Sequence, residues 1–496
     1  MLNKLILITG KNMAKIDYTD FMGLLNTGAA SFVKPNNELS AMKNFYEYKL
    51  GELKKVPGYE KCDDSQVIDG KDVNALHHYF DSSSGTDYLI AGSDSSTNYV
   101  LEYRTNGAWA SPTGTPSYTG AAGAEIDMVT YIDRAFIVGH DSGTFLANAV
   151  INGTAYKTSD GTNLTDMPKA KDVTRYNDLL YVANVDVSGT KYPNRAYYCD
   201  DPVDNAITWD NLDKKFLEFG QDDGDEIIGT VDALNRYIVF KKYSTWTWDE
   251  TDKIKVLDIG CDSKKSIKVI SKLPYWYNKN GIWRWAGGKE QLISKKVQPF
   301  IDAITIDPIA VQYNMEYRLF IGTVTVDGTT YVNTWLCFDT LTEKFYIRCT
   351  ADVAKSACTY IESDTKKRRA YFGNNDGYVM IFATDIDNVY SDNENEIDAF
   401  FITNNLDHGS AATVNNNPHI TIFSKNPQGM KMAIQTDNSG VFNKNNISIL
   451  NKNVESKDLN ASGNRFKYKF YEKSSNKSCQ FEGFIVDIQE KENKYQ

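Results

Sequence analysis

The sequence predicts an all-β protein: a β-propeller of about seven blades, with an extended N-terminal arm before it and a β-sandwich-like domain after it. Three observations carry this. Residues 224–300 hold two successive strand-rich units of similar layout. The same unit recurs between about 70 and 395 at spacings of roughly 38–57 residues, around the period of four-stranded propeller blades. After Tyr390 the texture changes to short alternating strands with Asn, Gly and Asp turns about every ten residues, the pattern of a sandwich.

The two units of 224–300 set the template. The first pairs the run from Tyr237 to Phe240 with that from Ser244 to Trp248. The second pairs Pro274–Tyr277 with Gly281–Trp285 across Asn278, Lys279 and Asn280. Both second runs alternate a large ring with a smaller or polar residue, the period-2 signature of a half-buried strand. Asn280-Gly281 reads as a hairpin turn, because both residues tolerate positive φ. Leading strands of the same kind begin at Tyr88, Ala135, Leu180, Tyr237, Tyr275, Leu319 and Ala370. Polar turns precede several of them, as at Asp133 and at Asn177-Asp178. A small residue often follows, as at Ala91, Gly139, Ala183, Gly322 and Gly373, where it is expected to permit a tight turn. A sheet of this kind has apolar faces and open edges, and closing the blades into a ring covers both.

These units set the domains: 1–65 an arm, 66–396 the propeller, 397–496 the sandwich-like domain. Within the arm a short helix is expected from Asn37 to Tyr48, with Asn37 as its cap and Leu39, Met42, Phe45 and Tyr46 near one face. Gly58 after Pro57 marks a turn. Deleting residues 1–60 is expected to leave the propeller folded.

Composition excludes several classes. The net charge of −11 disfavours general attraction to a nucleic-acid backbone. Lys outnumbers Arg about four to one, which weakens base readout by Arg forks. Seven cysteines lie scattered with no CxxC pair, as reduced buried thiols do. The apolar run Leu5–Ile8 is too short for a secretory leader, and no run approaches the roughly 18 residues of a membrane span. A soluble protein made in a cytoplasm is therefore expected.

No chemical constellation stands out. The five histidines form no HxH, HExxH or Cys/His cluster. His77 and His78 would face opposite sides of a strand. The acidic runs at 222–226 and 385–388 lack EF-hand spacing and read as solvated turns. LILITGKN (5–12) lacks the upstream Gly and the hydroxyl residue of a P-loop. Sialidase-type chemistry needs paired carboxylates with clustered Arg. Asp141–Phe145 matches its Asp-box turn only in part, and Arg104, Arg134, Arg175, Arg236 and Arg284 fall in different blades, where they could converge as any Arg of a repeat protein could. Neither an enzyme nor a cofactor is expected. Trp209-Asp210 and Trp248-Asp249 match the WD40 terminator, but Gly139-His140 is out of register with them. The lysine pairs Lys241-Lys242, Lys264-Lys265 and Lys295-Lys296 read either as solvated surface or as a basic ring facing DNA or an acidic neighbour.

Three segments carry a resemblance. Residues 44–61 (NFYEYKLGELKKVPGYEK) combine an Asn, a Gly-x-Leu step, basic residues and Pro-Gly-Tyr. The centre holds IIGTVDALNRYIVFKK (227–242), IGCDSKKSIKVI (259–270) and YWYNKNGIWRW (275–285). The C-terminus closes with a strand from Gly483 to Asp487. In these the chain resembles the tail hub or nozzle proteins of short-tailed bacteriophages, also called packaged-DNA stabilisation proteins. The resemblance implies a structural virion protein, made in the host cytoplasm and placed in the phage tail. Its propellers would form a ring, usually sixfold, beneath the portal and its adaptor. That ring would extend the channel for double-stranded DNA without reading sequence, retain packaged DNA and hold other tail proteins or fibres. The candidate partner contacts are Phe45, Tyr46, Tyr48, Lys54, Lys55 and Tyr59 of the arm and Lys241, Lys242, Lys264 and Lys265 of the propeller. The alternative is a propeller-type tail component that binds or cleaves glycans.

Overall fold

The computed structural model describes residues 13–490, apart from 30–33, 96–97, 115–116, 120, 122, 158–163, 204–205, 363, 409–413, 428, 437–440, 443, 450–453 and 475–476. The phosphate-loop-like segment 5–12 lies outside the described residues.

Nearly all regular structure is β. Six free-standing antiparallel sheets follow one another along the chain, spanning residues 73–119, 125–157, 169–218, 227–257, 268–292 and 309–349, in a β-propeller arrangement of six blades. Within each, strands pair in chain order with the first strand innermost, except that Thr144–Phe145 of the second sheet pairs only with Arg134–Asp141. A further four-stranded run follows. Ala354–Ile361, Arg368–Asn374 and Val379–Phe382 pair in order, and Tyr59–Lys61 adds a fourth strand from the other end of the chain. This run is not free-standing. Through Tyr59–Lys61 and Ser391–Asp392 it continues into an eleven-stranded sheet. It sits against the first sheet, where Ser356 Oγ donates to Val73 O at 2.6 Å and Tyr360 OH donates to Asp87 O at 3.1 Å.

The hairpin chemistry repeats. In the second to fifth sheets the innermost strand turns into the next through two residues that both take left-handed backbone: Ile132-Asp133, Asn177-Asp178, Leu234-Asn235 and Ser271-Lys272. Such turns match the twist of the strands they join. The turn of the 273–284 hairpin works differently from the expectation. Of Asn280 and Gly281 only the glycine takes positive φ, and the Asn278 side chain accepts the Asn280 N–H at 2.9 Å. The small residues after the leading strands also do something else. Gly139 and Gly373 lie inside strands, where a Cβ would come within 2.5 Å of Glu125 O and 2.4 Å of Val73 O respectively. They permit close strand approach, not a turn.

The blades are buried on both faces, so their second strands read as continuous apolar runs; Phe136, Ile137 and Val138 are all fully buried. Aromatic rings bridge successive sheets. Tyr181 and Tyr237 lie 4.7 Å apart, Phe240 and Trp276 5.0 Å, and Tyr275 and Tyr317 5.7 Å.

Residues 13–61 do not form a free arm. Met13–Tyr18 pairs with Gln480–Glu490, Glu38–Lys43 pairs with Asn395–Thr403, and Glu52–Lys55 extends the hairpin Phe45–Lys55 onto the strand of 480–490. The helix expected at Asn37–Tyr48 is replaced by the strands Glu38–Lys43 and Phe45–Lys49, broken by left-handed Asn44. Sheet pairing overrides a weak helical pattern there, because Leu39, Met42 and Phe45 all find buried places in sheets. The strands after 395 build two sheets together with these N-terminal strands. The inner faces meet through rings: Phe401–Phe481 at 4.8 Å, Phe470–Phe481 at 4.6 Å and Tyr468–Phe484 at 5.1 Å. Their core is continuous with that of the fifth and sixth blades.

Candidate functional site

The innermost strands surround a cavity of about 680 Å³ on the propeller axis. One mouth is crossed by two adjacent side chains. Lys264 and Lys265 both leave the short 3₁₀ turn Lys264–Ser266, which enters the fifth blade. Ser266 anchors that turn: its Oγ donates to Ser263 O at 2.6 Å, and its carbonyl accepts from Tyr317 OH at 2.8 Å.

Lys264 reaches towards the second and third blades. Its Nζ lies 2.8 Å from Asp127 Oδ2 and 3.1 Å from Asp172 Oδ1, and it donates to Lys171 O at 2.7 Å. The stem crosses Gly229 of the fourth blade, where a Cβ would come 3.2 Å from Lys264 Cγ and 2.9 Å from Ile267 Cδ1. Thr230 Oγ1 donates to Asp172 at 2.5 Å, and Val173 N donates to Asp127 at 2.8 Å. Lys265 reaches the other way, to Asn74 O of the first blade at 3.1 Å and Lys355 O at 3.4 Å. One turn thus ties most of the ring together.

Burial works against the Lys264 ammonium, but Asp127 and Asp172 outweigh it and hold its pKa above the ordinary value. Burial pushes the Asp172 carboxyl up, while Lys264 pulls it back. Among the described residues Lys265 has only carbonyl partners, and burial lowers its pKa. Deeper in the cavity stands Lys268, also lowered by burial, with Cys358 and Asp127 opposing the drop. His77 lines the same cavity; its Nε2 meets Thr130 Oγ1 at 2.9 Å, and burial drops its pKa to about 4. His78 bonds elsewhere, to Asp87 Oδ1 at 2.7 Å. No group of three or more His, Cys, Asp or Glu positioned to hold a metal occurs among the described residues.

The sequence-predicted contacts are dispersed. Lys264 and Lys265 stand together at the cavity mouth. Lys241 is fully buried, donating to Phe219 O at 2.8 Å and pairing with Asp223 at 2.6 Å. Lys242 pairs with Asp262 at 2.8 Å on the surface. Phe45, Lys55 and Tyr59 are fully buried and offer no surface to a partner. Phe45 packs edge-on to Phe401 at 5.3 Å, and Tyr59 OH donates to Asp352 Oδ2 at 2.7 Å. Tyr46 donates to Asp385, which also takes Lys54 at 2.8 Å. Tyr48 is exposed, with Lys54 Nζ 4.4 Å from its ring centre.

The acidic runs are satisfied by protein groups. Asp225 accepts Tyr243 N and Ser244 Oγ, and Asp387 takes a two-pronged contact from Arg369 at 2.9 Å on each prong. The blade arginines pair with separate carboxylates: Arg175 with Asp178 and Arg236 with Asp249 in their own blades, and Arg284 with Glu343 of the next blade. Sequence reasoning missed Lys268, Asp127 and Asp172. Their only signal was a charged residue at an otherwise apolar position of an innermost strand.

No helix among the described residues is long and apolar enough to cross a membrane. No family profile and no curated protein matches the chain. Among solved structures the chain is similar to the N-terminal domain of BBS1, in a crystal structure with ARL6, at TM-score 0.41 and 9% identity, over 66% of this chain and 98% of that one. It is also similar to the extracellular domain of the one-component system BT4673 of B. thetaiotaomicron, at TM-score 0.41 and 10% identity, over 77% of this chain and 46% of that one. Neither likeness carries an argument about what this chain does.

Proposed function

We propose that the chain is a structural subunit of a bacteriophage tail, a tail hub or nozzle component that assembles as a ring below the portal and its adaptor. The observation that carries the reading is the joining of both chain ends. Strands from residues 13–61 pair with the C-terminal strands and complete the four-stranded run at 354–382, so the second β unit shares one core with that run and with the fifth and sixth blades. A subunit built this way transmits load as one body, which suits a particle wall. On this reading the run at 354–382 is a seventh blade, closed by Tyr59–Lys61, and the two sheets after 395 are a sandwich-like unit built from both ends of the chain. Ring closure by a strand from the opposite terminus protects the last edge.

The propeller's own axis is not the DNA path in this proposal. Duplex DNA has a major groove alone about 12 Å wide. Lys264 and Lys265 cross the cavity mouth, so the duplex would run between copies arranged in a ring. The net charge of −11 would leave such a wall with few phosphate contacts. Adaptor and fibre proteins are the expected neighbours, and the virion tail the expected location. Negative-stain electron microscopy of the purified chain, with mass spectrometry of phage particles, tests this. Rings of copies and presence in particles are expected; a monomer at high concentration together with absence from particles overturns the reading.

One observation favours the glycan alternative. A cleft of about 500 Å³ near the same face is lined by Tyr243, Tyr277, Asn278, Asp262 and Asp307, and Tyr243 is 70% exposed. Exposed aromatic rings beside polar side chains suit sugar faces. Hydrolysis or binding of host polysaccharide by the purified chain would favour this alternative.

A further inference from the structure

We propose that the propeller cavity behind Lys264 and Lys265 is a binding pocket for a small organic anion, a carboxylate or phosphate monoester, with Lys268 as its counter-charge. The inference is independent of the tail assembly.

The charge layout supports it. The carboxylates around the cavity gather at the Lys264 mouth. Lys264 is shared between Asp127 and Asp172, and Lys171 lies 3.5 Å from Glu226. Beyond that level the innermost strands present His77, Met128, Thr174, Val231, Gln312 and Thr359 to the cavity, and no carboxylate among the described residues. Lys268, the first residue of the strand Lys268–Ile270, enters this part of the cavity. It has no ion-pair or hydrogen-bond partner among the described residues, although Lys264 and Lys265 of the preceding turn both have one. Arg368 lines the far end, exposed and likewise without a carboxylate partner among the described residues. His77, with its pKa near 4, stays neutral at physiological pH. Among the described residues the whole lining carries six carboxylates and five basic side chains, but beyond the level of Asp127 its charged side chains are Lys268 and Arg368.

Size and polarity fit the same class. The cavity volume of about 680 Å³ falls within the roughly 300–1,000 Å³ of small-molecule pockets. Its walls mix apolar side chains with hydroxyl and amide groups. An ammonium without a partner in such a space is costly unless an anion meets it. Burial depresses the Lys268 pKa, in keeping with a missing counter-ion.

The test is isothermal titration calorimetry on the full chain with phenyl phosphate, benzoate and the neutral control benzyl alcohol. At least one of the two anions is expected to bind at one site per chain, and benzyl alcohol about tenfold more weakly or not at all. Phosphate-only or carboxylate-only binding would identify the head group. Lys268→Met is expected to weaken the anion about tenfold or more, and Lys268→Arg to retain most of it. A second measurement does not depend on the variants. Pyridoxal 5′-phosphate condenses with a free amine, losing water to form an imine, and borohydride delivers hydride to that C=N bond to fix the label. Peptide mass spectrometry should find Lys268 among the first lysines labelled, with the labelling slowed by the anion that binds. No binding of either anion, equal binding by Lys268→Met, or Lys268 labelling that the bound anion leaves unchanged overturns the proposal.

Discussion

The Lys55 ammonium lies 2.7 Å from Glu472 Oε2, and both side chains are shut off from solvent at 0% and 1% exposure. Lys55 also donates to Ser474 O at 2.9 Å. The pair joins a strand from near the N-terminus to Phe466–Ser474 in the facing sheet, so it pins the two chain ends together. Removing one partner strands the other charge in the core. Lys55→Met is expected to lose about 3–5 kcal/mol, and Lys55→Met with Glu472→Met to regain most of it. Equilibrium urea unfolding of the three proteins measures this.

Tyr59 makes a second junction. It is fully buried, packs edge-on to Phe372 at 5.2 Å, donates to Asp352 Oδ2 and accepts Asp352 N–H at 3.0 Å. Tyr59→Ala is expected to cost about 3–5 kcal/mol through the cavity it leaves. Tyr59→Phe keeps the ring and should cost about 0.5–1.5 kcal/mol. Deleting residues 1–61 removes this strand and the pairing strands before it, and should give a protein that unfolds in limited proteolysis, not the folded propeller the sequence suggests. Urea unfolding and protease digestion separate these outcomes.

Asp392 makes stability depend on pH. It is buried beside Tyr59, and burial pushes its carboxyl up to about 7 against the pull of Arg348 and Lys55, with Asp352 adding to the rise. Its ordinary value is 3.8, so between about pH 4 and 7 the folded chain holds a proton that the unfolded chain has released. The stabilisation from that proton is complete below about pH 4 and is lost as pH rises through 7. Asp392→Asn mimics the protonated form. Melting temperatures from pH 4.5 to 8 should show the variant gaining on wild type as pH rises. Parallel curves would rule this role out.

The cysteines should be silent until the chain unfolds. All seven are free. Burial pushes Cys199 to about 11 and Cys261, Cys337 and Cys349 to about 12, so little thiolate exists at neutral pH. A disulfide reagent such as DTNB should react slowly with native protein and release a rapid colour burst in urea. A fast native reaction would mean the core opens.

The sequence by itself determined the β class and the repeating blade unit. These follow from local signals: alternation along a strand, and left-handed turns such as Asn177-Asp178, which need only two residues to specify. Tertiary structure decided the rest. Glu38–Lys43 became a strand because partners from residues 395–403 were available, and no local pattern encodes a partner some 360 residues away. Lys55 and Tyr59 look like surface residues in sequence and are core, because the strands that cover them come from the opposite end. Lys264 and Lys265 read as an undifferentiated basic pair. Only the closed ring turns them in opposite directions, one to Asp127 and Asp172 and the other to the Asn74 and Lys355 carbonyls, because electrostatic partners are set by proximity in space and not along the chain.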